Sequence, residues 1–305
     1  MPRFRFLSAF LPLVILLVAL PARAELRLRV APGPDQRLVL EQTPSSQPAE
    51  LVGVGPDDIP MFGPVDCATL RARHLKRARA DALDIDVIVA RYNLVNAWTG
   101  NLCSGANDLG LDPREARAWL DQLAGLSREE DGTPFIDARR RLAEVLTFGA
   151  PGVSQDPAEA RRYALQESAT DPTMLLYLAY MSEHGLGGPA DERQALEALR
   201  RAGERGDATA RTLLAQAAEL GLYGVERNEA DAVTRYGALA QGVNPPVWFR
   251  LGRMLLDGRS APCDPCRARD LLERAQRHAW TPVPEAQAYL ENIRQQDLCP
   301  VQRGQ

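Results

Sequence analysis

The chain has 305 residues, with 36 basic and 40 acidic side chains and a formal net charge of −4. An acidic balance speaks against a nucleic-acid partner, because phosphate contacts need a basic face. With 45% apolar residues, a chain of this length is able to bury a continuous core.

Residues 1–24 read as a secretory signal peptide. Arg3 and Arg5 precede an apolar run from Phe6 to Leu20, and Ala22-Arg-Ala24 is a small-x-small cleavage site. The run is too short for a confident membrane span. Cleavage after Ala24 leaves a mature chain starting at Glu25, with 33 basic and 40 acidic residues, net −7. The expectation is a periplasmic or secreted protein with no integral span once the signal is removed.

Residues 25–64 hold seven prolines. They form an extended or disordered segment, with short strands at Arg27–Val30 and Arg37–Leu40 and a tether from Gln42 to Glu50. The simplest role for this segment is a spacer; the other is a docking arm for a partner. Helices follow at 66–80 and 84–99. The basic cluster Arg71–Arg79 on the first of these reads as a solvated helix face. An enlarged loop runs from Gly100 to Leu111, and a helix over 112–124 starts at Asp112 with Ala116 four residues on.

From residue 137 the chain repeats. Gly149, Gly185, Gly221 and Gly258 lie 36, 36 and 37 residues apart. A period of this size in helical residues marks a solenoid. Before each glycine stands a leucine next to a small residue: Leu142-Ala143, Leu178-Ala179, Leu214-Ala215, Leu251-Gly252. After each comes a turn and then a polar residue with alanine four on: Asp156 and Ala160, Asp191 and Ala195, Asn228 and Ala232, Asp264 and Ala268. Glycine ends a helix in the left-handed conformation, and Asp or Asn caps the next one. Each unit is therefore helix, tight turn, helix, loop. A lone closing helix is expected at 285–296, followed by a tail over 299–305.

These residues resemble the Sel-like repeat (SLR) family, relatives of the tetratricopeptide repeats. Gly149-Ala-Pro-Gly-Val-Ser-Gln-Asp156, Gly221-Leu-Tyr-Gly-Val-Glu-Arg-Asn228 and Ala195–Gly206 carry the likeness, which spans 137–279. The leading glycine is mostly alanine here, and the family's lysine before alanine is missing. The resemblance implies an all-α fold: a right-handed α-solenoid of helix-turn-helix repeats of about 36 residues over 65–298, with atypical ends. It also implies a non-catalytic scaffold that binds another envelope protein or a peptide along a concave groove. By that likeness the groove is lined by Arg140, Glu144 and Thr147; Leu176, Tyr180 and Glu183; Thr212, Gln216 and Glu219; and Phe249, Arg253 and Leu256. Tyr180 and Phe249 are the candidate anchors.

The five cysteines are disulfide candidates in an exported chain. Cys67 and Cys103 pair as the only two in the N-terminal half. Among Cys263, Cys266 and Cys299, one bond leaves one thiol over, and Cys299 with either partner would pin the chain end. The alternative is a thiol–disulfide redox site at Cys263-Asp-Pro-Cys266, ahead of a helix. A third reading is recognition of a cell-wall glycan or peptide. His74, His184 and His278 show no ligand spacing, and no metal or cofactor is expected.

Overall fold

The computed structural model describes residues 25–32, 35–43, 49–54, 60–64, 66–81, 85–99, 109–126, 136–150, 152–169, 171–258, 263–278 and 283–299. The expected signal peptide and the centre of the Gly100–Leu111 loop lie outside these residues. Two compact units form: one contains Gln42–Ala190, the other Arg27–Glu41 together with Asp191–Gln305. Among the described residues are two two-stranded sheets and twelve helices.

In the first unit, strands β3 (Ala49–Val54) and β4 (Pro60–Pro64) pair antiparallel, with an irregularity between Leu51 and Gly53. Six helices follow: α1 (Cys67–Ala78), α2 (Ile85–Thr99), α3 (Pro113–Leu126), α4 (Ile136–Phe148), α5 (Pro157–Glu167) and α6 (Pro172–His184). Each packs on the next in sequence, and their shared core includes Leu94, Trp98, Leu120, Leu142 and Leu146. The basic cluster of α1 faces solvent in part and is tied by ion pairs. Arg79 grips Glu115 with two bonds of 2.8 Å, which hold the Glu115 carboxyl below its usual range. Arg77 meets Asp86 at 2.9 Å.

The second unit holds α7 (Glu192–Glu204), α8 (Ala208–Leu220), α9 (Glu229–Leu239), α10 (Pro245–Asp257), α11 (Pro265–Arg277) and α12 (Ala286–Gln295), again packed in consecutive pairs. It also takes up most of the hairpin formed by β1 (Glu25–Val30) and β2 (Leu38–Thr43). The link from Ala31 to Arg37 is closed by an Ala31 N–H bond to the Arg37 carbonyl at 2.7 Å. It is far too short for a parallel crossover.

The repeat explains the helix boundaries. Gly185, Gly221 and Gly258 end α6, α8 and α10 in the left-handed conformation, and Gly149 has φ +82°. Asp156, Asp191, Asn228 and Asp264 each accept a backbone N–H of the following helix. The loops close alike: the N–H of Asp156, Asn228 and Asp264 donates to the carbonyl of Leu146, Ala218 and Leu255, three residues before the glycine in each copy. Asp171, Asp207 and Asn244 cap the intervening helices in the same way.

The small residue at the recurring position allows close approach. A Cβ on Gly252 would lie 2.9 Å from Leu272 Cγ on α11. In the second copy, the left-handed glycine that follows Gly185 in the turn is Gly187, at φ +69°; Gly188 is not left-handed. A Cβ on Gly187 would meet the Pro157 carbonyl oxygen at 2.2 Å. Gly187→Ala is therefore expected to lower the melting point by several degrees, from about 1–3 kcal/mol of backbone strain plus the shift of α5. Gly188→Ala, whose Cβ would have only the Arg161 side chain nearby at 3.8 Å, should melt with the parent. Equal melting points for the two variants would contradict this account of the turn.

Candidate functional site: the groove positions of the repeats

In the first unit, the positions assigned to the groove are engaged in side-chain pairs. Arg140 donates to Asp171 at 2.9 and 3.1 Å, and the same Asp171 caps α6 through Thr173 N–H. Glu144 is buried and ion-paired to Arg141 at 2.7 Å. Thr147 returns its hydroxyl to the Ala143 carbonyl, and Leu176 is buried. Tyr180 is half-buried between Phe148 and His184, with ring centroids at 5.4 and 4.2 Å. His184 Nδ1 lies 2.8 Å from the Tyr180 carbonyl, at the helix end where the sequence places it. Glu183 is half-buried on the same helix.

In the second unit, two of the assigned positions, Gln216 and Arg253, reach one object, the chain's own segment Arg27–Glu41. Gln216 on α8 addresses the main chain of Leu38 twice. Its carbonyl accepts from Leu38 N–H, and its amide donates to the Leu38 carbonyl at 2.8 Å. Arg250 on α10 donates to the carbonyls of Asp35 and Gln36, both at 2.8 Å. Arg253, one turn on, reaches the Asp35 carbonyl at 3.0 Å. Tyr289 on α12 donates its hydroxyl to the Gln36 side chain at 2.7 Å. Leu38 and Val30 enter the apolar core beside Trp248, Phe249 and Leu251, with Leu28 packed against it. The outer side of the hairpin carries an exposed Arg29–Glu41 ion pair. A spacer role predicts nothing of this docking.

Beneath the segment lies a buried charged network. Glu219 accepts from Arg250 Nε at 2.9 Å, from Arg253 at 2.9 Å and from the Tyr236 hydroxyl at 3.1 Å. Arg250 is fully buried. Burial, and then the Glu219 charge, raise the Tyr236 hydroxyl far above the ordinary phenol range. Thr212 is buried and accepts from Asn244 at 3.2 Å. Phe249 is fully buried and meets Tyr289 edge-on at 5.8 Å, and Leu256 is half-buried against the same core. Phe249 is thus a core residue underneath the docked segment.

Sequence reasoning missed Arg250, Tyr236 and Tyr289. The signal for Arg250 was present: it stands inside the apolar run Val247-Trp-Phe-Arg-Leu251, and an arginine there must be paired if the run is buried.

The cysteines resolve the open choice. Cys266 is bonded to Cys299, and Cys263 is free and exposed. The Cys263–Cys266 pair required for redox chemistry is therefore not the one formed. Cys266 is the second residue of α11, where it meets the returning chain end, while Cys263 precedes the Asp264 cap. Cys67 is disulfide-bonded, and Cys103, its expected partner, lies outside the described residues. No cluster of metal-binding side chains occurs among the described residues. No helix among them is long and apolar enough to cross a membrane.

Three stretches, 136–166, 172–207 and 249–275, match the Sel1 repeat. A Sel1 repeat protein from Oxalobacter formigenes is similar in structure, with a TM-score of 0.59, 22% identity, and coverage of 78% of this chain and 90% of that one. A protective antigen of uropathogenic Escherichia coli strains that displays an SLR fold gives a TM-score of 0.51 at 19% identity, covering 74% of this chain and 48% of that one. At these identities the likeness concerns the fold. Comparison with curated proteins finds no match.

Proposed function

We propose that this chain, a carrier of Sel1 repeats, is an exported scaffold that holds a segment of another envelope protein against the faces of its helix pairs. Sel1 repeats generally serve as protein–protein interaction scaffolds, and their fold is typically non-catalytic. One observation carries the reading: two positions that the repeat assigns to the groove, Gln216 and Arg253, together with the neighbouring Arg250, already grip an extended polypeptide. Gln216, Arg250 and Arg253 address main-chain groups rather than side chains of that polypeptide, which is how a surface accepts segments of varied sequence. The bond between Cys266 and Cys299 weighs against the redox alternative and suits an oxidising compartment.

Two measurements test the proposal. Intact mass of the chain recovered from the envelope fraction should show loss of residues 1–24, and a chain beginning at Met1 would remove the export half. A photo-crosslinker replacing Tyr180 should capture a discrete envelope protein in living cells. Adducts to cell-wall glycan alone would replace the scaffold reading with glycan recognition.

A further inference from the structure

We infer that Arg27–Glu41 is a tethered ligand of the groove built by α8, α10 and α12, and that the partner segment enters by replacing it. The incoming ligand is thereby defined chemically. It is an extended polypeptide strand with an aliphatic side chain at the place of Leu38, a main-chain N–H and C=O presented to Gln216, and a preceding turn whose carbonyls meet Arg250 and Arg253. The inference rests on the reading of this surface as one that holds polypeptide, and adds what it holds and what keeps it closed.

Four observations support replacement rather than permanent core. The polar contacts to the segment fall mostly on its main chain, through Gln216, Arg250 and Arg253, so another strand is able to reproduce them. The receptor's arginines keep a charged partner without it: the single carboxylate of Glu219, on α8, bonds both Arg250 and Arg253. Departure of the segment leaves the two arginines sharing that carboxylate. The segment is also not at its own conformational ease. Gln36 has φ +45°, a strained value for a side-chain-bearing residue, held by Arg250 on its carbonyl and Tyr289 on its side chain. Finally, the contact joins residues about 178 positions apart in the chain. The chain between them acts as a tether, so a released segment stays at an effective concentration that an incoming strand has to exceed.

The test uses the full chain and a fluorescent synthetic peptide of residues 27–41. Leu38→Asp places a charge where Leu38 is 1% exposed and should release the segment. That variant is expected to bind the labelled peptide at least tenfold more tightly than the parent chain, whose groove is filled. Adding Gln216→Ala should abolish the gain. A Leu38→Asp chain that keeps its helical circular dichroism yet binds no more peptide than the parent overturns the inference. If Leu38→Asp instead loses its helical signal, the parent chain with a protease site inserted at 44–48 decides. After cleavage, the released segment should exchange with labelled peptide, and failure to exchange overturns the inference. A parent dimer that dissociates on adding peptide would assign the segment to a second copy, and overturns the tether in cis. The peptide experiment requires no natural partner, so its failure is separable from failure of the crosslinking at Tyr180.

Discussion

Replacing Glu219 with alanine is expected to cost about 3–5 kcal/mol of stability, read as a lower urea midpoint for the unit formed by Arg27–Glu41 and Asp191–Gln305. The size follows from what remains. Arg250 is fully buried, and Glu219 is the carboxylate bonded to it among the described residues. Removing that carboxylate leaves a guanidinium charge in the core and strips the Tyr236 hydroxyl of its acceptor. Arg253 is partly exposed and is able to turn toward water, so it adds little to the loss. A control separates the pair from its burial: with Arg250 also changed to methionine, most of the lost stability should return, since an apolar pair of similar volume is tolerated where a lone charge is not. A loss below about 1 kcal/mol for Glu219→Ala would place the network in water instead of the core.

Removing the Cys266–Cys299 bond is the second large effect. Cys299→Ser opens a closure spanning 33 residues, worth about 3–4 kcal/mol on loop-entropy grounds. The loss should be local. The α12 helix buries Ala286, Leu290 and Ile293, with Tyr289 packed beside them, and lacks a side-chain cap at Glu285. Amide exchange over 286–295 should therefore accelerate by two orders of magnitude or more, with α8 and α9 much less affected. Cys263→Ser, at an exposed free thiol, should leave both exchange and midpoint where they are. If Cys263→Ser and Cys299→Ser behaved alike, the chain would be using Cys263 in a bond, and the redox alternative would regain its footing.

The glycine period was readable because each glycine has one local job, to end a helix, and because the caps that follow satisfy N–H groups within three residues. Local geometry leaves a local mark in sequence. The caps at Asp171, Asp207 and Asn244 are equally local and keep the same period, each 14 residues before Gly185, Gly221 and Gly258. The docked segment left almost no mark. Its key contacts run from Gln216, Arg250 and Arg253 to main-chain groups, which are the same whatever residues supply them. Short strands were legible at Arg27–Val30 and Arg37–Leu40, but nothing in them named the surface that covers them. Phe249 illustrates the limit of reading a groove from offsets: the same helical stripe is concave surface in an open repeat and core once another segment lies over it.

The two hydrogen bonds between the Gln216 side chain and the Leu38 main chain have a consequence for solubility. A two-stranded ribbon has edges whose free N–H and C=O groups invite pairing with other chains, and alone it is only marginally stable. Here one side-chain amide, presented from a helix, occupies the place a third strand's peptide group would take. The helix thereby closes the ribbon at a fully buried residue. A chain whose hairpin is undocked without a replacement strand carries an open β-edge, so concentrated Leu38→Asp protein should associate through that edge, and free peptide should not relieve it unless it also pairs there.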